Sequence, residues 1–307
     1  QGARYLDLLS GFGVFAIGRN HPALREALKS VLDADLPNLV QLDVSTLAGV
    51  LAERLLEHVP YLDKVFFANS GAETVEAAIK FARGATGRPG IVYCGHSFHG
   101  LSYGALSLTD DTNFRSGFEP LLPGCTPIPF NDLEALEKAL SSRQVGAFIV
   151  EPIQGKGVNM PTDEFLPGAL ALCRKYGTLF IADEIQTGFA RTGKMFAMEH
   201  YGVKADVVTM AKGLAGGLPL SAIVGRADVM DASNPGGLGG TYAGNPLACA
   251  SAHAVLDVIA EEKLCDRANA IGKIIMDRCS ALQNNSNLNC IGDVRGLGAM
   301  CAVELVK

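Results

Sequence analysis

From residue 64 onward, the sequence alternates short apolar runs of β-strand type with longer segments whose apolar residues recur at helical spacing. The strand-like runs are 65–68, 91–94, 126–129, 147–150, 179–182, 207–210 and 222–224. Helix patterns over 72–86, 133–140 and 165–176 lie between several of them. Such alternation favours right-handed β-α-β crossovers. We therefore predict an α/β fold built on a mostly parallel, seven-stranded sheet with helices on both faces.

The segments outside this alternating region have patterns of their own. Residues 4–15 mix alternating apolar residues with glycines, which predicts a short strand and turn before a helix over 23–32. A second helix is predicted over 45–58, and an alanine-rich helix over about 246–259. The glycine-rich stretch 236–244 predicts a loop.

The charge balance and the cysteine pattern argue against several classes of protein. The chain has 26 Lys and Arg against 32 Asp and Glu and no basic run, so nucleic acid is not an expected partner. No apolar stretch approaches the ~18 residues that would span a bilayer, so no membrane association is expected. The eight cysteines are scattered without C-x-x-C spacing, which is typical of reduced thiols and not of a zinc site. Since no charged start precedes an apolar signal core, we expect a cytoplasmic protein without a bound metal.

Two of the predicted strands end in residues that carry chemistry. Asp183 follows the run 179–182, and Lys212 comes just after the run 207–210. Ligands of open α/β sheets bind outside the carboxyl ends of the strands, so both side chains can reach one cavity. Lysine can bond covalently to an aldehyde cofactor, and aspartate can hold the pyridinium nitrogen of pyridoxal phosphate (PLP). Taken alone, each residue has a simpler explanation: Asp183 as a helix cap and Lys212 as a solvated lysine at the end of a strand.

Further candidates follow the first two predicted strands. Ser70, Gly71 and Ala72 stand where a helix begins, and backbone N–H groups there can bind a cofactor phosphate. Ser70 as an ordinary helix cap is an equally good explanation. Phe98, next to His99, can stack on a planar ring, although a core phenylalanine beside a hydrogen-bonded histidine is the simpler reading.

The order of the motifs carries more information than any one of them. The motifs are S-G-A-E at 70–73, F-H-G at 98–100, E-P-I-Q-G at 151–155, D-E-I-Q-T-G at 183–188, M-A-K-G at 210–213 and G-G-T-Y-A-G-N-P at 239–246. Together they resemble the class III (subgroup II) aminotransferases of fold type I. That group includes the 4-aminobutyrate, acetylornithine, ornithine and putrescine aminotransferases. The resemblance extends from R-Y-L-D-L-L-S-G at 4–11 to V-R-G-L-G at 294–298.

The resemblance implies a PLP-dependent transferase that moves an amino group from an ω-amine or diamine donor to a 2-oxo acid in two half-reactions. It implies that Lys212 bonds to the cofactor and later moves the α-proton, while Asp183 pairs with the ring nitrogen. The other implied cofactor-site residues are Ser70, Gly71 and Ala72 at the phosphate, Ile185 and Phe98 on the two ring faces, His99, Gln186 at the phenolic oxygen, and Glu151 in the substrate-side network. Thr241 is expected to reach the phosphate of the neighbouring subunit, which implies a homodimer.

Domain limits can also be predicted. We expect an N-terminal segment, 1–44, that is part of a small domain, a large PLP-binding domain over 45–262, and the start of a C-terminal small domain over 263–307. Because the chain begins at Gln1 and stops just after the apolar run 300–306, we expect it to be a fragment of a longer protein.

Two positions depart from the family pattern. Leu101 follows F-H-G, where the 4-aminobutyrate and acetylornithine enzymes usually carry an arginine for a substrate carboxylate. An aliphatic side chain cannot make that bidentate pair, which favours a diamine or apolar amine. Lys156 stands where several relatives have glutamate, either as a replacement cation or as a solvated lysine. Arg295 belongs to a separate motif and is given no role in carboxylate binding.

The competing functions are an aminomutase or decarboxylase on the same scaffold, and a non-catalytic subunit.

Overall fold

A computed structural model describes residues 2–34, 45–285 and 288–307. The strands are β1 (Lys64–Ala68), β2 (Gly90–Cys94), β3 (Cys125–Ile128), β4 (Val145–Val150), β5 (Leu179–Asp183), β6 (Val207–Met210), β7 (Ser221–Gly225), β8 (Ile291–Leu297) and β9 (Met300–Leu305). The α-helices are α1 (Ser10–Gly13), α2 (Pro22–Asp33), α3 (Thr46–His58), α4 (Gly71–Thr86), α5 (Tyr103–Leu106), α6 (Thr112–Arg115), α7 (Leu133–Leu140), α8 (Phe165–Tyr176), α9 (Ala227–Met230), α10 (Pro246–Glu261) and α11 (Leu264–Gln283). Short 3₁₀ helices cover Ala197–Tyr201 and Lys212–Ala215.

The first seven strands form one sheet in the order β1-β7-β6-β5-β4-β2-β3. Pairing is parallel from β6 through β5, β4 and β2 to β3, whereas β7 runs antiparallel to both of its neighbours. The prediction of a mostly parallel, seven-stranded sheet is therefore confirmed. Because β1 is parallel to β6, the carboxyl ends of β1, β2, β4, β5 and β6 all lie at one edge of the sheet.

Helices cover both faces of this sheet. Along β4 the side chains of Phe148 and Val150 pack into one core cluster with α3, α7, α8 and α10, while Ala147 and Ile149 pack into a second cluster with α4. This alternation is the two-residue period of a strand buried on both faces, and every residue of β4 is buried. The two-sided core explains why the strands read as continuous apolar runs.

The amino-terminal segment differs from the prediction. Residues 4–15, all of which the structure describes, form no strand, and α1 occupies Ser10–Gly13 instead. Gly11 and Phe12 have φ values of +62° and +59° inside that turn, so the chain cannot extend there. The glycines, which we expected to end a strand, place the backbone in the left-handed region that extended residues do not reach.

The carboxyl-terminal elements form a separate small layer. Strands β8 and β9 pair as an antiparallel hairpin, and α11 packs against it. The predicted limits at 44/45 and 262/263 stay predictions, and residues 35–44 lie outside the described part of the chain. Within the described residues, no helix is long and apolar enough to span a bilayer.

Candidate active site

The site lies at the edge where the parallel strands end. Asp183 is the last residue of β5 and pairs in register with Thr209 of the neighbouring strand β6. Lys212 begins the 3₁₀ helix that follows β6, and Gly71 begins α4 just after β1. A single edge of the sheet therefore brings together a carboxylate, an amine and a helix amino terminus.

The Asp183 carboxylate is buried and held from three directions. Its Oδ1 accepts hydrogen bonds from the Ile185 amide at 3.1 Å and from the Thr209 hydroxyl at 3.2 Å. Its Oδ2 lies 2.6 Å from Nδ1 of His99. Asp183 is only 3% exposed, so these partners replace the water that a carboxylate needs. The arrangement fixes the position of one negative charge behind His99 and Ile185, which line the cavity.

The His99 imidazole is the partner that sets the charge of this pair. Burial lowers its pKa, but the hydrogen bond to Asp183 and the charge of that carboxylate outweigh burial and raise the pKa overall. Within the described residues, Nε2 of His99 is buried and has no hydrogen-bond partner. Because His99 also lines the cavity, this ring nitrogen is a polar atom for which the protein itself supplies no partner.

Lys212 has the features of an activated amine. Its side chain is largely buried, and burial lowers the pKa of the amine, although the charges of Asp183 and Glu151 oppose that shift. Its Nζ donates to Oε1 of Gln186 at 3.2 Å. The backbone of Lys212 has φ +36°, and such strain in a non-glycine residue clusters at functional sites. A lowered pKa makes the amine a better nucleophile near neutral pH.

A cavity of about 530 Å³ opens in front of these groups. Its wall includes Ser70, Gly71 and Ala72 at the start of α4, and Lys212 just after β6. The Ser70 hydroxyl caps the helix by accepting from the Glu73 amide at 3.3 Å. Within the described part of the chain, the amides of Gly71 and Ala72 have no hydrogen-bond partner. Free amides at a helix amino terminus form an anion site, which suits a phosphate.

Two apolar side chains line the cavity beside the amine. A Cβ on Gly71 would lie 3.0 Å from Cδ1 of Ile185, so the absence of a side chain there lets Ile185 pack against the start of α4. Phe98 is half-buried, and its ring packs edge-on against Phe114 with centroids 5.5 Å apart. Ile185 and Phe98 both line the cavity, as a planar ring between them would require.

Glu151 braces the site from behind and does not line the cavity wall. One of its carboxylate oxygens accepts the Phe98 amide at 2.8 Å and the other accepts the Gly155 amide at 2.8 Å. Burial raises the pKa of Glu151, and the charge of His99 opposes the shift. Its contacts therefore link two loops, while the predicted role in a substrate-side network stays a prediction.

The remaining predicted residues lie at the rim or away from the cavity. Leu101 lines the cavity and is 54% exposed. Lys156 forms an ion pair with Asp111, and its Nζ lies 5.7 Å from the centroid of the Phe114 ring, so it is neither fully solvated nor a free cation. Thr241 is exposed and is absent from the cavity wall of its own chain.

Sequence reasoning missed several residues that build the site. Val14 and the stretch 217–220 complete the cavity wall, and the Thr209 hydroxyl is a direct partner of Asp183. Thr209 could have been found as the polar residue inside the apolar run 207–210. The Gly-Gly-Leu-Pro-Leu sequence at 216–220, shortly after the M-A-K-G motif, was a further turn signal. Val14 carried no signal, because its place depends on the fold of the amino-terminal segment.

These donors fit PLP. Two free amides at a helix terminus suit a phosphate, a buried carboxylate suits a protonated ring nitrogen, and an amine of lowered pKa suits an aldehyde. The fold and this donor set define an enzyme that links an aldehyde cofactor to a buried lysine at the edge of a parallel sheet. No cluster of metal ligands occurs within the described residues.

Comparison with known proteins gives the family. The family model for class-III aminotransferases matches residues 1–307. A probable 4-aminobutyrate aminotransferase of Bacillus subtilis is 39% identical over 332 residues, covering 100% of this chain and 76% of that protein. An acetylornithine aminotransferase of Methanopyrus kandleri is 41% identical over 307 residues, covering 99% and 77%. The ornithine aminotransferase structure from Toxoplasma gondii, which has PLP at partial occupancy in its active site, superposes with a TM-score of 0.95 at 36% identity, covering 99% of this chain and 74% of that one.

The chain belongs to the class-III aminotransferases. It is a PLP-dependent transaminase of fold type I, as the motif order predicted.

Proposed function

We propose that the amine donor is an ω-amine or diamine without a carboxylate at the Leu101 end of the cavity, and that a 2-oxo acid accepts the nitrogen. Leu101 carries this proposal, because it lines the cavity where an arginine would be needed to bind such a carboxylate. Lys156 does not supply that cation as a free group, since Asp111 already pairs with it.

The residues of this chain divide the work of the reaction. When bound, PLP supplies an electron sink for the carbon next to the substrate nitrogen. Asp183, fixed by His99 and Thr209, would hold the protonated ring nitrogen of that cofactor through its negative charge. The Lys212 amine would be the attachment point of that cofactor and would hold the proton taken from the substrate carbon, a task that a lowered pKa favours.

The test is a panel of single amines offered to the PLP-loaded protein: 4-aminobutyrate, ornithine, N-acetylornithine, putrescine and a long-chain amine. We expect putrescine or the long-chain amine to bleach the visible band and 2-oxoglutarate to restore it. Leu101→Arg is expected to raise kcat/KM for 4-aminobutyrate about 10–100-fold relative to putrescine, the worth of one charged hydrogen bond. Efficient turnover of 4-aminobutyrate that survives Leu101→Ala contradicts the proposal. Product formation without nitrogen reaching any acceptor assigns a mutase or a decarboxylase instead.

We also propose that two copies of the chain share their active sites. Thr241 is exposed and lies outside the cavity of its own chain, beside the exposed Tyr242. Leu101, which lines the cavity, and Tyr103, two residues further along the chain, are large exposed apolar residues as well. Such surfaces are typical of an interface between subunits.

Subunit mixing tests the shared site. Thr241→Ala and Lys212→Ala variants are each expected to be weakly active or inactive alone. A mixture of the two subunits is expected to regain activity, because each hybrid dimer then has one site with both residues intact. If the mixture gains nothing although sedimentation shows dimers, Thr241 does not act across the interface.

A cytoplasmic location is proposed from the scattered, unpaired cysteine pattern of the sequence. Fractionation of the producing cells tests it, and recovery of the protein with a membrane or an exported fraction contradicts it.

A further inference from the structure

Arg295 connects the C-terminal hairpin to a loop beside the active site. It lies on β8 in the V-R-G-L-G motif, and its side chain is 20% exposed. Its Nε donates to the carbonyl oxygens of Gly157 and Val158 at 3.1 Å each, and its Nη2 donates to the Gly157 oxygen at 2.6 Å. Its Nη1 pairs with Asp293 at 2.7 Å and Glu304 at 2.8 Å within the hairpin. One guanidinium therefore joins two parts of the chain.

The loop that Arg295 holds is strained. Gly157 has φ +87° and Val158 has φ +52°. Glycine accepts such a conformation, but a β-branched residue with positive φ is a genuine outlier. The loop ends are fixed by the bridge between Gln154 and Asn159, whose side chains also hydrogen-bond at 2.9 Å. The Arg295 guanidinium thus binds the carbonyl oxygens of the two residues that have positive φ, Gly157 and Val158.

The same loop contacts the amine of the active site through one intermediate side chain. A Cβ on Gly155 would lie 1.9 Å from Oε1 of Gln186, so the loop backbone packs against the Gln186 side-chain amide with no room for a side chain at position 155. The same oxygen of Gln186 accepts from Nζ of Lys212 at 3.2 Å. The Gly155 amide also donates to the Glu151 carboxylate. A displacement of the loop therefore changes the surroundings of the lysine.

We propose that Arg295 is a positioning residue, which holds loop 154–159 in its strained left-handed form and so places Gln186 against the amine of Lys212. The C-terminal hairpin is thereby connected to the reacting lysine. If Arg295 served only the hairpin, its pairs with Asp293 and Glu304 would suffice and the two loop carbonyls would not need it. The role concerns the amine and not the identity of the substrate, so it is independent of the proposed donor.

Two measurements on the PLP-loaded protein test this role. Arg295→Ala is expected to speed hydrogen exchange at the amides of 154–159 about tenfold or more. It is also expected to shift the pH midpoint of the visible band by ~0.5 unit or more, because the lysine loses a fixed neighbour. Arg295→Lys keeps a positive charge for Asp293 and Glu304 but cannot donate to both loop carbonyls, so it is expected to show the same two effects. It replaces Arg295→Ala as the test if that variant does not fold. Arg278→Ala, an exposed arginine on α11, is the matched control and should change neither quantity.

The strain itself gives the sharpest outcome. Val158→Gly combined with Arg295→Ala is expected to return both measurements toward those of the wild type, since glycine adopts φ +52° without a clash. If Arg295→Ala and Arg295→Lys both behave like Arg278→Ala, the proposal is wrong. If Val158→Gly restores nothing, Arg295 does not act by holding the strained turn. Neither measurement needs a substrate, so failure to find an amine donor does not affect them.

Discussion

The Nδ1 of His99 lies 2.6 Å from Oδ2 of Asp183, and both side chains are shielded from solvent. An ionised carboxylate only accepts hydrogen bonds, so Nδ1 must carry the proton and donate it. The pair therefore keeps the Asp183 charge in place whether or not a cofactor is bound. It also leaves Nε2 of His99 as the ring nitrogen whose protonation varies with pH.

Asp183→Asn should lower the pKa of His99, because the imidazolium loses the acceptor and the charge that raise it. Nitrogen NMR titration of the histidine rings measures this in the cofactor-free protein, with His99→Gln assigning the signal. A raised folded-state pKa stabilises the protein below the unfolded pKa of about 6.5, and the benefit is lost as pH rises through the folded value. Asp183→Asn should therefore destabilise the protein most in acid. An unchanged His99 titration, as expected for the surface control Asp163→Asn, would contradict the pairing.

Replacing Lys212 with Ala should abolish the covalent attachment of PLP and slow transamination at least ~10²–10⁴-fold, since the same amine also moves the substrate proton. The visible spectrum after addition of PLP and the rate with the preferred amine report the two effects. Lys138→Ala removes an exposed lysine of α7 and is the matched control. A normal spectrum in Lys212→Ala would move the attachment site to another lysine.

Gly155→Ala should disturb the amine without touching it. The new Cβ would lie 1.9 Å from the Gln186 oxygen, so Gln186 has to leave Lys212. Because the clash is with the far end of a flexible side chain, we expect little change in the free energy of unfolding, but a drop of up to ~10²-fold in turnover from misplacement of Gln186. Gly49→Ala on the exposed side of α3 meets no atom within 4 Å and should instead stabilise by about 0.5–1 kcal/mol. Wild-type turnover in Gly155→Ala would show that the Gln186 contact is dispensable.

Glu184 should make folding stability fall as pH rises. It is fully buried just after β5, and burial raises its pKa to about 7 despite hydrogen bonds from Thr187, Met198 and Ala197. The unfolded carboxyl ionises at about 4.5, so between about pH 4.5 and 7 the folded state binds more protons and loses stability with rising pH.

Glu184→Gln removes this ionisation. The free energy of unfolding of the variant, relative to the wild type, should therefore rise by about 1–3 kcal/mol from pH 4.5 to 7 and then level off. Urea unfolding at several pH values measures it, with Glu134→Gln on the exposed side of α7 as control. A constant difference across that range would show that Glu184 is already ionised in the folded protein at acid pH.

The sequence was sufficient where local periodicity decides the structure. The runs 133–140, 165–176 and 207–210 form elements with those same bounds, because amphipathic and two-sided burial leave a direct periodic signal. The strand-end rule likewise placed Asp183 and Lys212 at one edge of the sheet.

Prediction failed where distant segments decide the structure. The amino-terminal segment follows left-handed turns at Ser10–Gly13 that alternation could not reveal. The contact of Arg295 with Gly157 joins residues 138 positions apart, and although Arg295 stands in the V-R-G-L-G motif, nothing in the sequence pairs it with Gly157. The hydroxyl of Thr209 faces Asp183 only because β5 and β6 pair in that register. Such contacts are properties of the sheet and hairpin arrangement rather than of any sequence window.

The reversed direction of β7 determines where this chain can be cut. Because β7 runs back from the edge at which β6 ends, the connection between Met210 and Ser221 is a return loop and never crosses a face of the sheet. That loop contributes Lys212 and residues 217–220 to the cavity wall. At its far end the Ser221 hydroxyl donates to the carbonyl of Ser70, the residue that caps α4. A proteolytic cut or a new chain terminus in that loop would therefore disrupt the wall of the active-site cavity. A break at Gly177, which lies between α8 and the amino-terminal end of β5, would leave the cavity wall intact.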